Sequence, residues 1–389
     1  MKVRLTSLLS VLLLAGCGTF ADPTEWLSSA DVVEPSELVD FDNLIDPASQ
    51  WSRDIGVGTD EQHLNLRPKA IGDALYVVDA EGLVTAFSRA DGRQLWQHEL
   101  ELPAAGGPGA GEGLVLIGTS EAEVIALSAD DGSERWRAVV SGEVLSIPAV
   151  FNGVVVVHTS DGKLFGLEAT TGAERWRYER KVPVLTLRGI GSPVIVDGVV
   201  YVGLAGGKLV ALRADNGNLI WESTVTAPGG RSELQRLSDI DGDPLVISGG
   251  VFAATYQGEV AAAEQNSGRV AWRTKMSVYG RIAADPLGIY AADADGVVYG
   301  LDPRTGGKRW TQEALKFRRL SDVVALQGLV VVGDFEGYLH WLNSEDGSMV
   351  ARTRVGSDPI TRGLTIIDDL LYVQGDGGEL AAVRVPERQ

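Results

Sequence analysis

From residue 51 onward, apolar and polar positions recur in a fixed order. A β-branched apolar run leads to a turn ending in Gly, then an alternating run, a second turn ending in Gly and, four residues on, a Trp. One unit reads NGVVVVHTSDGKLFGLEATTGAERWR (Asn152–Arg177) and another DGVVYVGLAGGKLVALRADNGNLIWE (Asp197–Glu222). The first turn falls at Gly82, Gly162, Gly207, Gly258, Gly296 and Gly337, with Ala122 standing in once. Ten residues later in every unit come Gly92, Gly172, Gly217, Gly268, Gly306, Gly347 and Gly132. The Trp series is Trp51, Trp96, Trp136, Trp176, Trp221, Trp272 and Trp310, with Ala351 in the eighth position. A spacing that never drifts marks a packed, hydrogen-bonded unit, because free loops tolerate insertions.

The pattern predicts strands. β-Branched runs suit pleated, half-buried surfaces, and Asp-Gly, Asn-Gly, Thr-Gly and Ser-Gly pairs suit hairpin turns. Each unit reads as an antiparallel meander of about four short strands, its Trp at the start of the last one, where a large ring can wedge against a neighbour. One such sheet cannot bury both faces, so the units must stack. The Trp-type positions recur with a mean step of about 43 residues. Trp51 has no Gly-containing hairpin before it, and Gly378 has no second turn or Trp strand after it. The strand around Trp51 is therefore expected to complete the last sheet, over roughly 362–385. The predicted fold is all-β: an eight-bladed β-propeller over 48–389, built of four-stranded antiparallel blades and closed by the N-terminal strand. The Trp series reads as blade docking rather than as a platform for stacking bases.

Composition narrows the function. Lys and Arg number 34 against 53 Asp and Glu, a net charge of −19, so phosphate backbones are repelled and no nucleic-acid partner is expected. One Cys and four scattered His leave no metal spacing, and no metal or cofactor is expected. The start, MKVRLTSLLSVLLLAGC, has a basic beginning and an 11-residue apolar run, too short to span a bilayer. Residues 1–16 read as a signal peptide. Small residues before Cys17 resemble the lipobox of bacterial lipoproteins, which implies an acylated Cys17 as the first mature residue and a lipid partner. Gly18, where inner-membrane retention would show Asp, implies the periplasmic face of the outer membrane. Between Gly18 and Ser52 there is no Lys or Arg, so residues 17–47 read as a lipidated N-terminus and acidic flexible tether.

If the ring is scaffolding, function should sit where its period breaks. Most Trp-to-Trp steps are 38–41 residues, whereas the consecutive steps 176–221 and 221–272 are 45 and 51; the step 51–96 is also 45, so length alone does not single these two out. The first contains RKVPVLTLRGIGSP (Arg180–Pro193), with Leu185, Leu187 and Arg188. The second contains GGRSELQRLSDIDGDP (Gly229–Pro244), with Arg236, Asp239 and Asp241. Apolar anchors ringed by charges of both signs suit a protein-binding hot spot. The leucines equally suit an alternating edge strand facing a blade core, and the aspartates suit turn capping beside Gly242. The run DIDGD lacks the further ligands of a calcium loop.

Units such as DPRTGGKRW (Asp302–Trp310) and EATTGAERW (Glu168–Trp176) resemble the tryptophan-docking repeats of quinoprotein dehydrogenases. With the lipobox, LTLRG (Leu185–Gly189) and LQRLSDID (Leu234–Asp241), the whole chain resembles the BamB family, propeller lipoproteins of the outer-membrane β-barrel assembly (BAM) machinery. That resemblance implies a non-enzymatic scaffold that assists folding and insertion of outer-membrane proteins beside other BAM subunits. It also implies that Leu185, Leu187, Arg188, Asp239 and Asp241 grip POTRA domains of the barrel subunit, BamA. Two other classes fit less well: a quinoprotein-like dehydrogenase, and a chaperone that captures nascent outer-membrane proteins by adding their strands to a blade edge.

Overall fold

The computed structural model describes residues 34–60, 62–180, 191–227, 229, 232 and 237–385. From Pro35 onward the chain forms one compact unit. The described strands make eight sheets, with no helix among the described residues. Blades 1 to 7 follow chain order over 69–99, 104–139, 149–178, 194–224, 245–275, 283–312 and 324–354, each an antiparallel four-stranded meander. Blade 8 takes three strands from 363–384 and its outer strand, Ala48–Asp54, from the other end of the chain. That strand pairs antiparallel with Glu379–Arg384, placing Ser52 opposite Ala381 and Asp54 opposite Glu379. The expected eight-bladed propeller, closed at the expected seam, is the observed architecture.

Docking of neighbouring blades explains the rigid ten-residue spacing. Each outer-strand Trp lays its ring on the second turn glycine of the next blade: Trp51 on Gly92, Trp96 on Gly132, Trp136 on Gly172, Trp176 on Gly217, Trp221 on Gly268, Trp272 on Gly306 and Trp310 on Gly347. Those seven glycines have φ between +66° and +74°, the left-handed region that a side chain disfavours. Each indole N–H donates to the carbonyl three residues before that glycine, over 2.7–3.0 Å. Ring contact and hydrogen bond together fix where the turn must lie, so neither glycine nor Trp can shift by one residue. Within each blade the residue opposite the Trp is Ala or Gly, as with Gly166 opposite Trp176 and Ala382 opposite Trp51, which makes room for the indole. A β-bulge beside the Trp position recurs in every blade and re-aims the ring.

Blade 7 inverts this arrangement, for a reason that the seam supplies. Blade 8 has no turn joining its third and fourth strands, since the fourth comes from the other terminus, so no left-handed glycine awaits a ring from blade 7. There the small residue, Ala351, occupies the outer strand, and the large one, Trp341, sits opposite it one strand inward. Trp341 is fully buried and donates to Thr353 of its own blade over 3.0 Å.

The acidic N-terminal segment, expected to be free as far as residue 47, is instead bound along blades 6 and 7 over residues 36–45. Ser36 N–H donates to the Lys316 carbonyl (2.9 Å) and Leu44 N–H to the Val350 carbonyl (2.8 Å). Asn43 and Arg352 exchange two hydrogen bonds, and Arg318 donates to the Ser36 carbonyl over 3.0 Å. Ile45 packs into the cluster that holds Trp341 and Ala351. Composition pointed to a tether because the segment is acidic. Two buried or half-buried arginines and two apolar anchors, Leu38 and Ile45, are what hold it.

The Trp–glycine contact can be separated from left-handed strain alone. Gly172 has φ +73°, and a Cβ there would lie 2.6 Å from Trp136 Cε3, whereas Gly113 has φ +78° and open space around it. Gly172→Ala should cost about 2–5 kcal/mol and Gly113→Ala about 1–2 kcal/mol in denaturant unfolding. Equal losses would show that ring docking does not constrain the turn.

Candidate functional site

Connections between blades emerge on one face of the ring, and the two longest run from blade 3 to blade 4 and from blade 4 to blade 5. Leu185, Leu187 and Arg188 lie outside the described residues. The roots of both excursions are described, at 191–193 and 237–244, and they meet. A Cβ on Gly191 would lie 2.9 Å from the Gly242 carbonyl oxygen, so the two backbones touch. Ser192 N–H donates to Asp243 Oδ1 over 2.7 Å. Behind them, buried His158 sits with Nδ1 3.1 Å from the Gly191 carbonyl. Burial pushes its pKa down to about 4, so the ring is neutral at physiological pH and donates to that carbonyl.

The aspartates of the second excursion turn inward. Asp239 is buried; its Oδ1 accepts from Gly206 N–H at 2.9 Å, and its carbonyl accepts from Tyr256 N–H at 3.2 Å, tying the root to turns of blades 4 and 5. Ile240 packs against Gly203, where any side chain would clash. Asp241 is 3% exposed, and its Oδ1 has no hydrogen-bond partner among the described residues. Burial drives its carboxyl pKa up to about 7; Asp239 adds to the rise and Arg362 opposes it. The expected pair therefore forms the buried base of the excursion, where Asp239 caps the distant turn at Gly206 rather than the one beside Gly242.

Residues that sequence reading passed over carry the base into the hub. Asn65–Leu66 adds a short parallel strand to the inner strand of blade 2, Asn65 opposite Gly106. Arg67, in the connection from blade 8 to blade 1, pairs with Asp243 over 2.6 Å and lies 3.9 Å from Asp322. Connections 8–1 and 4–5 are four steps apart in an eight-blade ring, so this ion pair crosses the hub. Arg281 binds Asp322 through Nε (2.7 Å) and through its own N–H (2.9 Å), and it donates to the Leu364 carbonyl (2.7 Å). Burial alone would raise the Asp243 and Asp322 carboxyls, but the arginines outweigh it and hold both below the usual aspartate range. DIDGD hinted at Asp243; nothing local marked Arg67, because its partner is 176 residues away.

Asp241 gives a pH signature with a definite sign. Its folded pKa lies above the unfolded value, so the folded state holds an extra proton between about pH 4 and 7, and stability falls as pH rises through that window. Asp241→Asn keeps the shape and removes the ionisation. The variant should be more stable than the parent above pH 7 and should flatten the decline in Tm between pH 4 and 7. An unchanged pH slope would show that Asp241 titrates normally.

The family described as "Outer membrane protein assembly factor BamB" matches the chain over residues 80–312 and 294–386. A relative of that name from Pseudomonas aeruginosa is 48% identical over 358 residues, covering 92% of this chain and 94% of the relative. The crystal structure of BamB from Moraxella catarrhalis superposes with a TM-score of 0.81 at 28% identity, over 87% of this chain and 100% of that one. A quinohemoprotein alcohol dehydrogenase from Comamonas testosteroni superposes with a TM-score of 0.69 at 14% identity, over 89% of this chain and 78% of that one, a likeness of fold alone. With the Trp-docked ring, its seam and these matches in hand, the chain belongs to the BamB family of outer-membrane protein assembly factors.

Proposed function

We propose that the protein is a non-enzymatic scaffold of the outer-membrane β-barrel assembly machinery, holding POTRA domains of BamA on its connecting-loop face. The observation that carries this reading is the joining of the two longest excursions at Gly191–Gly242 and Ser192–Asp243, braced across the hub by Arg67. A binding surface gains affinity when its loops are held before the partner arrives, since less ordering entropy is lost on association. Leu185, Leu187 and Arg188 are the proposed contacts on the first excursion. Asp239 and Asp241 are proposed to act from beneath, setting the path of the second. The non-enzymatic reading is supported by the hub acids, Asp243 and Asp322, each committed to arginines rather than presented to a substrate.

Arg188→Glu reverses a charge in a proposed hot spot and should weaken co-purification with BamA about tenfold or more, whereas Arg213→Glu on a blade rim should not. Undiminished recovery with Arg188→Glu would remove the site assignment.

Acylated Cys17 is proposed to anchor the body to the periplasmic face of the outer membrane. The bound segment begins at Ser36, so the chain from Cys17 to that point can reach at most roughly 65 Å. Cys17→Ser should move the protein from the membrane to the soluble periplasmic fraction; membrane retention of that variant would overturn the anchor.

A further inference from the structure

We propose that the hub cavity is a binding site for a small oxyanion carrying phosphate or carboxylate groups. The cavity measures about 370 Å³, and its polar side is lined by Arg67, Lys69, Ser192, Asp243, Arg281 and Thr365. Three cations meet there; Arg67 pairs with Asp243 of the wall, and Arg281 pairs with Asp322, which lies outside the lining. The balance leaves one positive charge, which falls to Lys69, and no ion pair from the described residues engages it. Lys69 borders the cavity at the foot of the inner strand of blade 1. Lys69 is exposed to solvent, yet surrounding protein first and Arg67 second hold its ammonium below the ordinary lysine range. An anion placed between these cations relieves that repulsion.

Hydroxyls supply neutral donors beside the charge. Ser192 Oγ accepts from Ile147 N–H and from Asn65 Nδ2, each at 3.0 Å, which leaves its own proton to donate. Thr365 brings a second hydroxyl from the inner strand of blade 8. Among the polar side chains of this wall, three cations and two hydroxyls therefore face a single carboxylate, Asp243. A neutral or cationic ligand would leave them unanswered, whereas an oxyanion accepts from several at once. The rest of the molecule is strongly acidic, with a net charge of −19, so a local surplus of positive charge in the hub is selective rather than general. The site does not depend on the proposed BamA contact.

The test uses the mature full chain, with inorganic phosphate as probe and chloride at matched ionic strength as control. Phosphate should raise Tm in a saturable way that chloride does not reproduce. Lys69→Met keeps the aliphatic stem and should weaken the fitted phosphate affinity about tenfold or more, while its Tm in chloride is no lower than the parent's, because a repelled charge is removed. Thr365→Val, isosteric and neutral, should weaken it less and carries the test if Lys69→Met folds poorly. A Tm rise no greater than in chloride, or wild-type phosphate affinity in either folded variant, would overturn the proposal.

Discussion

The seat of an indole ring on a left-handed glycine is the contact on which the ring depends. It joins each outer strand to the next blade's turn, with the indole N–H bonded to the carbonyl three residues earlier. Because the contact is only between neighbours, a closed ring needs it at every joint or needs a substitute. Seven joints use it. At the eighth, blade 8 has no turn to offer, and three features answer that gap: Trp341 and Ala351 exchange places across the strand pair, Ile45 joins their cluster, and the 36–45 segment lies along the edge of blade 7. Inside the seam, Ala48–Asp54 pairs with Glu379–Arg384 while Trp51 docks on Gly92, so one strand closes blade 8 and fastens it to blade 1.

Blades supply the rim, while the hub is held by charge. Arg67, Asp243, Arg281 and Asp322 come from four different connections. Buried ion pairs of this kind add little net stability over an apolar filling, yet removing one member leaves an uncompensated charge that costs about 3–5 kcal/mol. Their value here is geometric: Asp243 receives both Ser192 of the blade 3–4 connection and Arg67 from across the ring. The excursions therefore leave the body from a defined base rather than from two independent loops. Asp241 stands in that base with an oxygen unpartnered among the described residues and a carboxyl pKa pushed up to about 7, a local cost tolerated where the chain packs tightly around Ile240.

The charge of the N-terminal segment was misleading for an instructive reason. Acidic composition without Lys or Arg argues for solvation when the rest of the chain is unknown. It says nothing of Arg318 and Arg352, which wait in the blade 6–7 connection and on blade 7 and donate to the carbonyls and the side-chain amide oxygen of this segment. A similar limit applied to Asp239 and Asp241. Their alternation beside Gly242 fitted a capped turn and an exposed acidic surface equally, and only burial against the turn at Gly206 and the side chain of Ile240 distinguishes the two.

Taken alone, the sequence determined the number of blades, the position of each turn, the Trp ladder and the strand that closes the ring. Each of these is written in a short covalent period, and a left-handed glycine ten residues after its partner is a local demand that any reader of the chain can see. Tertiary structure decided what occupies the centre and the seam. Arg67 meets Asp243 only because closure brings opposite connections face to face, and Trp341 trades places with Ala351 only because the next blade lacks a turn. Such contacts depend on the distance across a completed ring, a quantity that has no counterpart in spacing along the chain.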